Sequence, residues 1–421
     1  MNDIEKAQAI LRANDRGGYT VPTDRLYPFQ WNWDSAFVAM GWGTFDEVAA
    51  WREVESLLAG QWDDGMIPHI VFHTPADSYF PGPEVWGTRH RVPTSGITQP
   101  PVLATAVRRL WDNARDRELA DAKAASVYRK LLANHRWWRR ARDPEGSGLV
   151  AILHPWESGM DNSPAWDEAM SRVPTDTVTA IVRRDTGHVN PAHRPRQIDY
   201  QRFIHIVDVL RDCAWEPSRM WARAPLKIAD ISTCSILARA ESDLAVLAAR
   251  FGTPEERAEI DARIAAMRAA LNACWRPALG LFASVDLIAG KPIDVPTSAG
   301  FLPLYADAAT PAQADGLGAT LDRWAKMVRV LVPSTPPDWP GFEAQRYWRG
   351  PVWAVVNWMI ADGFARTGDA ARAARIHADT AKAIAQSGHC ENFDPLEGSG
   401  GGGGTFSWTA AIDLLLRDRA V

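Results

Sequence analysis

The chain has 421 residues, 46 Lys and Arg against 51 Asp and Glu for a formal charge of −5, and 46% hydrophobic residues. Its basic residues are dispersed, which excludes a nucleic-acid stripe and a polybasic membrane patch, and no run of about 18 apolar residues is present to span a bilayer. Cys213, Cys234, Cys274 and Cys390 lie far apart without ligand spacing, so neither a disulfide framework nor a structural zinc site is expected. The opening stretch MNDIEKAQAILRAN lacks the pattern of a signal peptide. These features predict a soluble, cytoplasmic protein with a small-molecule partner, no nucleic acid, no membrane and no cofactor. Self-association into a homo-oligomer is compatible with all of them.

Apolar residues recurring at the 3.6 period predict helices near residues 3–14, 34–42, 46–61, 97–114, 118–142, 198–214, 229–251, 254–273, 311–328, 350–366, 369–387 and 406–418. Two junctions, AARFGTPEERAEI and FARTGDAARAARI, carry helix-end signals: Gly252 and Gly368 suit a left-handed C-terminal position, and Thr253 and Asp369 suit the next N-cap. Repeated helical hairpins of this kind predict an all-α fold, an (α/α)6 barrel of residues 1–421 as one domain, with apolar inner and amphipathic outer helices. An open solenoid would need a sequence period of about 34 or 40 residues, and none is visible. Three stretches resist the helical pattern. Residues 73–93 and 171–196 are rich in Pro and suit a lid or insert, with Tyr79, Phe80 and Trp86 as an aromatic flap. The run Ser399–Gly404 has the composition of a flexible linker or of backbone passing close to a ligand.

The segment His154 to Asp167, HPWESGMDNSPAWD, sets acids beside tryptophans, and apolar walls raise carboxyl pKa values toward those of a general acid. A second acidic, turn-rich segment, ENFDPLEG, opens at Glu391. Asp161 and Glu391 therefore form the strongest candidate pair for glycosidic hydrolysis, which needs one protonated and one ionised carboxyl. Asp24, Asp34, Asp63, Asp64 and Asp394 are rivals, and Asp34 suits sugar hydroxyls or a helix cap. Twenty Trp give flat apolar faces with an N–H donor, suited to sugar rings, with about half expected in ordinary packing. Arg346 and Arg349 flank a predicted helix start, where a carboxylate would be welcome. His69 and His73 have the spacing of a metal pair, but the β-branched IPHIVFH argues against a helix to present them, and no metal is expected.

LYPFQWNWDSAF (26–37), QWDDGMIPHIVF (61–72), TSGITQPP (94–101), HPWESGMDNSPAWD (154–167), YWRGPVW (347–353), ENFDPLEG (391–398) and FSWTAA (406–411) together resemble glycoside hydrolase family 63, and within it the bacterial mannosylglycerate and glucosylglycerate hydrolases. The resemblance implies an (α/α)6 barrel and an inverting mechanism, with Asp161 as general acid and Glu391 as general base. It also implies Tyr27, Trp31, Trp33, Asp34, Gln99, Trp156, Gly159, Tyr347, Trp348, Trp353 and Trp408 around the sugar and glycerate, and Tyr79 on a mobile lid; Glu157 and Asn162, in the same segment as Asp161, read as supports rather than reactants. The chain departs from the family pattern where Leu396-Glu397-Gly398 runs into the glycines. Trehalose or another α-glucoside would suit the same fold. A sugar isomerase or epimerase would need a His pair that these motifs lack, and a non-catalytic sugar binder would need no opposed carboxyls.

Overall fold

The computed structural model describes residues 2–24, 26–187 and 189–418; His188, inside the predicted 171–196 insert, lies outside the described residues. Among these residues are twelve helices of ten residues or more: α1 (Asp3–Asn14), α2 (Asn32–Gly43), α3 (Glu47–Ala59), α4 (Leu103–Asp112), α5 (Arg117–Arg142), α6 (Gln197–Asp212), α7 (Ile231–Phe251), α8 (Pro254–Asn272), α9 (Pro311–Trp324), α10 (Ala354–Arg366), α11 (Ala370–Ser387) and α12 (Ser407–Asp418). Many start on a side-chain cap. Thr253 and Glu256 close a capping box with Pro254 in the first turn, Thr310 and Gln313 do the same for α9, and Asp46, Asp116, Asp230 and Asp369 accept from backbone N–H groups.

Two helices begin later than periodicity predicts. Pro100 and Pro101 lack N–H donors and restrict the residues before them, so α4 starts at Leu103, and Pro351 likewise delays α10 to Ala354. The glycine at the first hairpin is also a correction. Gly368 has φ +86, whereas Gly252 is extended at φ −101, and its need for glycine comes from Tyr128, whose hydroxyl would sit 2.4 Å from a Cβ.

The helices form an (α/α)6 toroid in which α2, α4, α7, the 3-10 segment Ser298–Leu304, α10 and α12 pack in turn around the inner ring, and α12 returns to α2. The outer helices are α1, α3, α5, α8, α9 and α11. One inner position is the 3-10 segment Ser298–Leu304, where periodicity predicted no helix, and Pro303 inside it disfavours an α-helix. Inner helices are apolar nearly all round: every residue of α2 from Asn32 to Trp42 is buried. Outer α8 buries only a stripe, Glu256, Ile260, Arg263, Met267 and Leu271. Helix α6 stands outside this ring. It packs Tyr200, Phe203, Ile206 and Val207 into a second apolar cluster with Phe29, Trp31, Trp86, Trp156 and Trp166, which underlies the loops at one end of the toroid. No helix of the described residues is long and apolar enough to cross a membrane.

Short antiparallel pairs anchor those loops: Gln30–Trp31 with Ile70–Val71, and Asn392–Phe393 with Gly400–Gly401. Gly400 and Gly401 are therefore paired backbone rather than free linker, and Gly402 to Gly404 follow outside the pair.

Candidate active site

A cavity opens among these loops, and Asp34, Asp161, Asp185 and Glu391 are its acidic lining residues. Asp161 reaches it from a tightly pinned turn. His154 Nδ1 accepts from Trp156 N at 3.0 Å, Gly159 turns the chain with φ +67, and the backbone of Met160 is bonded at both ends, its N to Ser158 Oγ (2.9 Å) and its O to Trp166 Nε1 (2.9 Å). Burial leaves His154 neutral, its pKa down at about 3. Beneath the turn, Arg142 and Glu157, both fully buried, form an ion pair at 2.6 Å, and Glu157 also accepts from Leu153 N at 2.7 Å.

Glu391 lies on the far side of the chain from this turn. Its N donates to Gly401 O (2.9 Å), Trp408 Nε1 donates to its O (3.2 Å), and a Cβ on Gly402 would stand 2.1 Å from its Oε2. Only glycine can occupy that approach, and φ +76 at Gly402 reinforces the choice. Three donors point toward the carboxylate in series: Arg194 Nη1 to Tyr27 OH at 2.9 Å, Tyr27 OH to Tyr347 OH at 3.2 Å, and Tyr347 OH to Glu391 Oε1 at 2.8 Å. Since Tyr347 has one proton and spends it on Glu391, Tyr27 must donate to Tyr347 in turn. Glu391 Oε2 is buried without a hydrogen-bond partner among the described residues.

Burial raises both carboxyls. Burial, and secondarily Glu391, raises Asp161 to about 7 against the pull of Arg194. Burial also raises Glu391, but Arg194 and the hydroxyls of Tyr347 and Tyr27 hold it down. Asp34 is pushed well above the usual carboxyl range by burial and by Glu391 and Asp161. Arg194 is 6% exposed, pairs with Asp185 at 3.1 Å, and is the only Lys or Arg among the described lining residues.

The sequence model of the mannosylglycerate hydrolase MGH1-like glycoside hydrolase domain matches residues 27–409. The chain belongs to this glycoside hydrolase family. It is 46% identical to mannosylglycerate hydrolase MGH1 of Selaginella moellendorffii over 412 residues, which cover 98% of this chain and 84% of that one. It is 33% identical to the glucosylglycerate hydrolase of Mycolicibacterium hassiacum over 97% of this chain and 96% of the other. The crystal structure of GH63 mannosylglycerate hydrolase from Thermus thermophilus in complex with Tris and D-glycerate matches with a TM-score of 0.95 and 48% identity, over 98% and 99% of the two chains.

In this glycoside hydrolase, Tyr27, Trp31, Trp33, Asp34, Tyr79, Gln99, Trp156, Gly159, Asp161, Tyr347, Glu391 and Trp408 line the cavity. Four predicted binding residues do not. Arg346 is turned away to Glu343 (2.6 Å), Arg349 is committed to Asp167 (3.0 Å), and Trp348 and Trp353 stack on each other at 3.8 Å behind Trp33 and Tyr347. The two arginines are consumed by local ion pairs and the two indoles by the wall they build. Trp86 of the predicted flap is fully buried against Trp156 and Trp215, whereas Tyr79 and Phe80 do reach the cavity. Among the rival acids, Asp24 pairs with Arg16 at the surface, Asp64 accepts from Trp137, and Asp394 accepts from Gln345. His69 and His73 diverge: His69 lines the cavity beside Trp156, while His73 stacks on Tyr19. The residues missed from sequence are Arg194, Asp185 and Tyr200, all in or next to the Pro-rich 171–196 segment. Their only sequence signal is the abundance of Arg in that segment.

Proposed function

We propose that this glycoside hydrolase cleaves the α-glycosidic bond of a hexosyl-glycerate to free hexose and glycerate, with inversion at the anomeric carbon. Mannosylglycerate is the first choice of substrate, because the relative named for it is closer in sequence than the one named for glucosylglycerate. The observation that carries this reading is the meeting of two buried carboxyls, Asp161 and Glu391, with a buried arginine in one aromatic cavity.

Asp161, whose raised pKa keeps a protonated fraction available near neutral pH, delivers its proton to the glycosidic oxygen as the bond to the anomeric carbon breaks. Glu391, ionised and with Oε2 free to accept, takes a proton from the water that attacks the opposite face. The products are hexose of inverted configuration and glycerate, and the two carboxyls exchange protonation states that solvent then resets. Arg194 meets the glycerate carboxylate, a match of charge that trehalose and neutral glucosides lack. Asp34 suits sugar hydroxyls, and Trp31, Trp33, Trp156 and Trp408 offer apolar faces and N–H donors to the ring. Four buried free cysteines support a reducing, cytoplasmic setting.

The test is a substrate panel of mannosylglycerate, glucosylglycerate and trehalose with Asp161→Asn and Glu391→Gln, and NMR of the first-formed anomer. Loss of turnover by orders of magnitude in both variants and an inverted first anomer are expected. Near-native turnover in either variant, or retained configuration, refutes the assignment.

A further inference from the structure

The proposed acid and base sit 230 residues apart in sequence, and inversion requires their carboxyls to be held roughly 6.5–9.5 Å apart with a water between. We propose that Asn162 is the positioning residue that ties one to the other; this inference rests on the assignment of Asp161 and Glu391 just made. Asn162 directly follows Asp161, is 5% exposed, and donates from Nδ2 to Tyr347 O at 3.2 Å. The hydroxyl of the same tyrosine holds Glu391 Oε1 at 2.8 Å. One residue, Tyr347, thus grips the acid's neighbour with its carbonyl and the base with its phenol.

The far end of this strut is rigid. Tyr347 N donates to His193 O at 2.9 Å, Arg349 N donates to Arg346 O at 2.8 Å, and Trp348, at φ +59, is stacked face to face on Trp353. Arg349, 7% exposed, reaches back to Asp167 at the end of the acid's own segment, a second tie across the same gap. At the near end the backbone of Met160 is bonded on both sides, so Asp161 stands between two fixed residues. Removing the Asn162 amide frees one side of the acid and leaves Tyr347 and Glu391 with their remaining bonds. The consequence falls on proton delivery to the leaving group. Misplacement by about 1 Å costs about 100-fold in rate.

The experiment compares hexosyl-glycerate with the matching α-hexosyl fluoride, whose leaving group needs little protonation, for wild type, Asn162→Ala and Asn162→Ser. Asn162→Ala is expected to lower kcat on hexosyl-glycerate about 100-fold with KM changed less than about threefold, while kcat on the fluoride stays within about threefold. Equal loss on both substrates, or no loss on either, overturns the proposal. If Asn162→Ala does not fold, Asn162→Ser and Arg349→Lys carry the same comparison under the same criterion. Asp161→Asn must itself spare the fluoride and Glu391→Gln must not. Failure of those two controls rejects the acid–base assignment, whereas failure of Asn162→Ala alone rejects only the brace.

Discussion

Gly402→Ala is the most direct probe of how the glycine run serves Glu391. An added Cβ would lie 2.4 Å from Glu391 Cβ and 2.1 Å from its Oε2. Carbon atoms pack at about 3.5 Å, so Glu391 must retreat by about 1 Å, or the 400–404 backbone must move by as much. The alanine also adopts the left-handed φ +76, at a cost of about 1–2 kcal/mol. A displacement of about 1 Å in the base corresponds to about 100-fold in kcat, near 2.7 kcal/mol of lost transition-state stabilisation. Gly403→Ala separates the two effects: Gly403 has φ +91, and a Cβ there meets nothing within 4 Å. Steady-state kinetics and urea denaturation of both variants are the assays. Gly403→Ala should lose stability alone, and Gly402→Ala both stability and about two decades of kcat. Equal kcat in the two variants would refute the claim that the run is there to clear space for the base.

Four further outcomes follow from the site and its foundations. Because Asp161 titrates at about 7 and acts protonated, kcat should fall as pH rises through about 7, a limb that Asp161→Asn abolishes together with most of the activity; a pH profile of kcat reads it. The same raised value means that the folded state binds this proton more tightly than the unfolded chain. Asp161 therefore erodes stability as pH climbs from about 4 to about 7, and Asp161→Asn should raise Tm at pH 8 but not at pH 4. Arg194→Gln should cut kcat/KM for hexosyl-glycerate by about 10-fold more than for a methyl α-hexoside: both substrates lose the pull of Arg194 on Asp161 and Glu391 and its bond to Tyr27, but only the former has a carboxylate to lose its partner. Arg142→Met should cost about 3–5 kcal/mol in urea denaturation, because it strands the fully buried Glu157 carboxyl under the acid's turn; a loss below about 1 kcal/mol would contradict that role.

What the sequence by itself determined is what local rules can encode. Helix period, caps such as Thr253 with Glu256, and prolines set the elements, and the spacing of acids among tryptophans singled out Asp161 and Glu391. Gly252 shows the limit of such rules: a glycine at a helix end suggests a left-handed turn, but here it makes room for Tyr128 from another helix. The arginines show it more sharply. Arg346 and Arg349 stood in the conspicuous motif and are bound to Glu343 and Asp167, while Arg194, in a Pro-rich loop that carries no such motif, is the cation in the cavity. Chemistry per residue is the same in all three. Only the tertiary structure decided which guanidinium faces the cavity: all three are paired, but the partners of Arg194, Asp185 and Tyr27, line the cavity and the acids that pair with Arg346 and Arg349 do not. The same holds for Trp348 and Trp353, whose stacking on each other makes them the back of the wall rather than its face.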